Sequence, residues 1–222
     1  MKNYGHIIST FVILLSVSIG AQAENLYQVS LLRASPGLMP ELIEMAKQRK
    51  TQLKNEMIIM RHSQGDHWDL MLLEPANNEL PESYSYQSKA DFQHDFLASS
   101  DIAWDAIGKL AKDADLFHIE MFQAAKGLYP ELLAQRHMEN EYLEATQRQA
   151  NIIFQTKFGS DTDLFTLGIY ADMQAFAAEP DLAPEVFEKA AVDAGFKARS
   201  DIGFYLRRFL VGHQDTLASQ IK

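Results

Sequence analysis

From Tyr27 to Ala34 apolar and polar residues alternate, and the residue types favour extended chain, so the stretch predicts a β-strand. Gly37 ends it. Pro40 stands in the first turn of the next element, where a missing N–H costs nothing. Leu38, Leu42, Met45, Ala46, Arg49 and Leu53 then recur at helical spacing and mark one face of an amphipathic helix. Met57–His62 and His67–Leu73 predict two strands joined at Ser63-Gln64-Gly65-Asp66. A polar linker, Pro75–Lys89, leads to predicted helices over Asp91–Ala98 and Ile102–Lys112.

The same pattern then starts again. Leu26–Ile43 laid over Leu116–Leu133 matches at seven of eighteen positions, including Gly37/Gly127, Pro40/Pro130 and Glu41/Glu131, which points to duplication and not to shared propensity. A second block, offset by 94, pairs Ile58, Ile59, Gly65, Asp69 and Leu70 with Ile152, Ile153, Gly159, Asp163 and Leu164. A third pairs Ser100-Asp101-Ile102 with Ser200-Asp201-Ile202. Asn151–Thr156 and Asp163–Tyr170 repeat the hairpin, and helices are predicted over Pro184–Ala194 and Asp201–Ser219. The expectation is two tandem βαββα units, 24–113 and 114–222, of α+β class. Each is most of a ferredoxin-like unit, and two such sheets can face each other in an α/β-barrel-like arrangement with helices outside.

The Gly-Leu-x-Pro-Glu-Leu helix entry, the hairpin Ile-Ile-x5-Gly-x3-Asp-Leu and the segment Leu167–Phe176 resemble the dimeric α/β-barrel superfamily, in particular NIPSNAP-like, EthD-like and antibiotic-biosynthesis-monooxygenase-like domains. The resemblance covers most of both copies. It implies a pocket between each sheet and its partner sheet for a hydrophobic or aromatic small molecule, sometimes haem, and it implies no particular reaction. Many relatives dimerise single units. Two units in one chain can close a monomer, and a homodimer stays open.

Composition narrows the chemistry. The 47% hydrophobic content is enough for a core, and the absence of cysteine excludes disulfides, thiol catalysis, zinc–thiolate sites and iron–sulfur clusters. The net charge of −10 opposes binding to nucleic acid and to anionic membranes. Residues 1–23 read as a secretory signal: Lys2, an apolar run over Ile7–Ile19, and a small-x-small site at Ala21-Gln22-Ala23. The expected location is periplasmic or secreted, with no stable membrane insertion after cleavage.

Candidate chemistry follows strand parity. Val29, Leu31, Ile119 and Met121 are aliphatic and are expected to pack under the helices. Gln28, Ser30 and Leu32, with His118, Glu120 and Phe122, are then expected to line the barrel interior. His118 beside Glu120 suits a general base, or an iron ligand with an orienting carboxylate, and equally a buried polar pair. Arg61, His62, His67 and Trp68 gather on the first hairpin, with Asp66 and Asp69 close by, as ligand-binding candidates. Spacing across a turn is not a metal signature, and no metal is expected there. His137 and Tyr142 can reach a pocket rim, although Arg136, His137 and their acidic neighbours also read as a solvated helix face, and His213 reads as exposed. No phosphate loop, nucleophile elbow or His-Glu-x-x-His helix is present.

Three readings remain open. The first is an exported binding protein with a pocket between sheet and helices for an apolar or aromatic ligand, haem included. The second is a cofactor-free monooxygenase-like or haem-handling enzyme using His118 and Glu120. The third is a non-catalytic structural or partner-binding protein. Pocket volume separates the first two from the third.

Overall fold

The computed structural model describes residues 24–54, 56–64, 66–76 and 84–222. The expected signal, residues 1–23, lies outside the described residues. In chain order the elements are β1 (Asn25–Ala34), α1 (Met39–Gln52), β2 (Ile58–Gln64), β3 (Leu70–Pro75), β4 (Ala90–Ser100), α2 (Trp104–Ala111), β5 (Leu116–Ala124), α3 (Tyr129–Ala145), β6 (Ile152–Phe158), β7 (Leu164–Tyr170), α4 (Met173–Ala177), α5 (Pro184–Asp193), α6 (Ile202–Leu206) and β8 (Leu210–Ile221). All eight strand pairings are antiparallel, and they close a barrel in the order β1-β3-β2-β8-β5-β7-β6-β4. This is two four-stranded sheets of identical order, β4-β1-β3-β2 and β8-β5-β7-β6, sealed to each other at β2–β8 and β4–β6. Closure removes the exposed edges that either sheet would carry alone.

The residues duplicated between the copies are architectural. Gly37 and Gly127 sit at φ 81° and 80°, each in a turn where Leu38 N donates to Ser35 O and Leu128 N to Ala125 O, both at 2.9 Å. That turn needs positive φ at its third residue, which glycine supplies without strain. Asp69 Oδ2 accepts from Ala34 N at 2.8 Å, and Asp163 Oδ2 accepts from Ala124 N at 2.7 Å, so the matched aspartates bind the last residue of β1 and β5.

One predicted helix is a strand, and another is helical only at its start. Asp91–Ala98 lies within β4, and Asp201–Ser219 is a short 3-10 turn at Arg199–Asp201, then α6, then β8. Phe92 and Phe96 are four residues apart, a spacing common to a helical stripe and to one face of a strand, and pairing with β1 decides between them. The fourth strand completes each ferredoxin-like unit. Its arrival also overturns the match of Ser100-Asp101-Ile102 to Ser200-Asp201-Ile202, because the first triplet follows β4 and the second precedes α6.

Strand parity is the reverse of the sequence expectation. Tyr27, Val29, Leu31, Phe117, Ile119 and Met121 point into the barrel, in one buried cluster with residues from all eight strands. The other parity faces outward: Leu32 packs with Leu42 and Ala46 of α1, and Phe122 with Leu132 of α3. Eight strands enclose the middle of the barrel, so the inner parity is apolar there and turns polar only toward one end, at His94 and Gln214. Helices cover the outer wall only in part, and the mixed polar positions Gln28, Ser30, His118 and Glu120 belong there.

Aromatic rings fill the barrel's middle. Phe154 and Phe165 stack at 4.5 Å between centroids, and Phe96 meets Phe165 edge-on at 6.0 Å. α2 plugs one end, with Ile107 and Ala111 in the interior cluster and Trp104 against it.

Candidate functional site

The end of the barrel opposite α2 is open. Leu31 of β1 and Met121 of β5, both in the interior cluster, form a floor with Phe92. His94, Gln214 and the β6–β7 turn at Gly159–Thr162 form the wall of a cavity of about 930 Å3, and His67 stands at its rim. The floor is apolar and the rim polar, the usual build of a small-molecule pocket.

His67 is placed by its neighbour. Its Nδ1 lies 2.5 Å from Asp66 Oδ1, and the same oxygen accepts from His67 N at 2.6 Å. The Asp66 side chain is 1% exposed and that of His67 is 51% exposed, so a buried carboxylate orients a ring that remains accessible. A carboxylate on Nδ1 leaves Nε2 as the nitrogen available for exchange. The Phe92 ring meets His67 edge-on at 5.0 Å, and His94 follows Phe92 along the same face of β4.

A second polar cluster lies on the outer face of the second sheet. His118 and Glu120 are two apart on β5, and Asp215 of β8 is the register partner of Glu120. His118 Nε2 lies 2.8 Å from Asp215 Oδ1, and His213 Nε2 lies 3.2 Å from Glu120 Oε1. Arg136, buried on α3, reaches Glu120 Oε2 at 3.5 Å, pairs closely with Glu139, donates to Gln135 Oε1 at 2.7 Å and lies over the Phe122 ring at 4.7 Å. Thr166 donates to Glu120 at 3.3 Å. Burial alone would raise the Glu120 carboxyl, but the His213 hydrogen bond and the charges of Arg136 and His118 outweigh it and hold the group below the ordinary carboxylate range. Glu120 is therefore ionised across the neutral range.

The first sheet carries a different set at the matching positions. Ser30 donates to Asp95 at 2.6 Å, and Gln93 donates to the other Asp95 oxygen at 2.7 Å. Arg49 reaches Glu74 at 3.3 Å and lies over Tyr84. Burial pushes Glu74 up, with Arg49 opposing it. Gln28, Ser30 and Tyr86 surround a space of only about 10 Å3 there, too small for any ligand.

Other sequence candidates scatter. Arg61 is exposed on β2, and His62 lies against Trp68 at 5.6 Å. Trp68 is buried in the interior cluster. His137 is exposed beside a groove on the far side of α3, and Tyr142 packs against α5 in a separate apolar cluster. Arg136 and His213, read from sequence as solvated, are largely buried. The signal for Asp215 and His213 was present but displaced: Gln93–Ser99 matches His213–Ser219 at an offset of 120, with Asp95/Asp215, Leu97/Leu217, Ala98/Ala218 and Ser99/Ser219 identical. The longer helical segment before β8 breaks the earlier offset and hides it.

A haem on His118 does not fit. Arg136 covers Glu120, and the Phe176 ring lies against His118 at 5.2 Å, so the space a macrocycle needs is occupied.

No family model matches this sequence, and no curated protein matches it by sequence. Solved structures do share its fold. A crystal structure of an anthrone oxidase-like protein aligns with TM-score 0.59 and 11% identity over 92% of this chain and 94% of that one. A candidate monooxygenase from Fusobacterium nucleatum gives 0.57 and 8% identity over 90% and 94%, and a heme-binding protein from Thermus thermophilus gives 0.50 and 11% identity over 90% and 92%. What the chain shares with these structures is the fold, here a closed eight-stranded barrel of two ferredoxin-like units in one chain.

Proposed function

We propose that this is an exported protein that binds a neutral apolar or aromatic small molecule in the open end of its barrel. One observation carries the reading: a cavity of about 930 Å3, floored by apolar side chains, at the end of a closed barrel that no helix among the described residues plugs. The volume lies within the span of known ligand pockets, roughly 300–1,000 Å3. The site differs from the sheet–helix pocket expected from sequence, because the outer faces are filled by their own side chains. A purely structural role would not need an unfilled end. Among the described residues no helix is long and apolar enough to cross a membrane. The division into units 24–113 and 114–222 is part of the same reading, with both units contributing wall to one cavity.

The test is titration with a neutral apolar fluorophore such as Nile red. Saturable binding by the wild type should be lost in Leu31→Trp and Met121→Trp, which put an indole into the floor. Equal binding by wild type and both variants would place the probe elsewhere and sink the reading.

A second reading is favoured by the Asp66–His67 pair. A ring held by a buried carboxylate at the rim of a ligand cavity suits proton abstraction from a phenol or an activated C–H group. The proteins that share the fold include an anthrone oxidase-like protein and a candidate monooxygenase, which is compatible with such a step. Oxygen uptake with an electron-rich polyphenol, lost in His67→Gln while Nile red binding persists, supports catalysis. Binding with no oxygen uptake in the wild type leaves the carrier reading alone.

A further inference from the structure

We infer that His118, Glu120 and Asp215 form a divalent transition-metal site on the outer face of the second sheet, beside the barrel mouth and joined to it through His213. The ligand-capable atoms of the three side chains all lie within 4.8 Å of one another. A zinc-sized ion with bonds of about 2.0–2.2 Å needs ligand atoms drawn together from about that spacing. All three side chains stand on adjacent, fully paired strands, where backbone position is fixed by the ladder and not by a loop.

Charge points the same way. Glu120 and Asp215 are directly opposed across the β5–β8 ladder, an arrangement that repels when both are ionised. Glu139 adds a third carboxylate; among the described residues Arg136 pairs with Glu120 and Glu139, and His213 meets Glu120. A divalent cation offsets the carboxylate excess that remains where both imidazoles are neutral. His118 supplies a nitrogen donor, which favours zinc, iron or cobalt over calcium or magnesium. The metal would take the place of the proton that now lies between His118 and Asp215. His213 and Thr166 bind Glu120 from the side and hold its orientation, the part outer-shell partners play at metal sites.

Access and asymmetry fit as well. The Asp215 side chain is 57% exposed while His118 and Glu120 are 17% and 11% exposed, so the cluster is rooted in the wall and open on one side. Three protein ligands with an open position leave room for water, as in reactive rather than purely structural zinc sites. The matching positions of the first sheet are Gln28, Ser30 and Asp95, which could not form such a set. The set is therefore present in the second copy only.

The experiment uses the untagged full chain, purified with chelator and then dialysed against Zn2+ or Co2+. The expected result is one equivalent of metal by elemental analysis, with visible Co2+ bands from nitrogen and oxygen ligation. His118→Gln and Asp215→Asn should each weaken binding by at least about tenfold, the loss already seen on removing an outer-shell partner. Asp95→Asn, the matching substitution in the first copy, should leave it unchanged. Far-UV circular dichroism checks folding, and Asp215→Asn, at a half-exposed position, is the variant least able to disturb it. Sub-stoichiometric uptake by the wild type, or one equivalent retained in both His118→Gln and Asp215→Asn, overturns the assignment.

Discussion

Replacing Arg136 by Met tests the electrostatic account of the second sheet. The guanidinium is 1% exposed and offsets Glu120 and Glu139, while a Met of similar length keeps most of the packing over Phe122. Removing one partner of a buried ion pair costs about 3–5 kcal/mol, because the other charge stays desolvated. Here the lower end applies: His213 and Thr166 still hold Glu120, and Glu139, 23% exposed, can rehydrate. The expected loss is about 3 kcal/mol, or about 6–12 °C in Tm for a chain of this size. The pH dependence has a definite sign. In the wild type Glu120 is held below its unfolded value, so its stabilisation is present above that value and fades as pH falls through the folded one. Without Arg136 burial gains weight and the carboxyl rises, so the variant's deficit should be full at pH 7 and shrink in acid. The assay is urea unfolding followed by tryptophan fluorescence at pH 7 and near pH 4, with Glu120→Gln and the double variant completing a cycle. A loss under about 1 kcal/mol at pH 7, or a deficit independent of pH, would refute the idea that Arg136 carries the compensating charge.

Three further outcomes are expected. Phe165→Ala removes a fully buried ring between Phe154 and Phe96 and should cost about 3–5 kcal/mol in chemical unfolding, far more than an exposed-ring control such as Phe204→Ala. Gly37→Ala and Gly127→Ala meet no atom within 4 Å, so each should cost only the backbone penalty of positive φ, about 1–2 kcal/mol, equal in both copies and additive in the double variant. Protein recovered from the exporting host's medium or periplasm should begin at Glu24 by N-terminal sequencing. An intact Met1 there would count against cleavage.

Sequence by itself determined the units and their punctuation. Gly37 and Gly127 in turns that demand positive φ and Pro40 and Pro130 at helix entries are local requirements, so each copy repeats them; Asp69 and Asp163, which close β1 and β5 across 35 and 39 residues, recur because each unit repeats the same internal contact. The alternating strands and the helical stripe of α1 were legible for the same reason, since period 2 and period 3.6 are properties of the chain alone. What tertiary structure decided was non-local. β4 and β8 carry spacings that serve a strand or a helix equally, and only pairing with β1 and β5 fixed them. Parity could not be assigned either: an aliphatic face suits a helix or a sealed barrel, and closure by eight strands sent it inward. His118 and Glu120 were visible as a pair, but Asp215 and His213 lie more than ninety residues away and reach them only through the β5–β8 register. The cavity is the most non-local feature of all, since it is the space left when one end of the barrel receives α2 and the other receives no helix among the described residues.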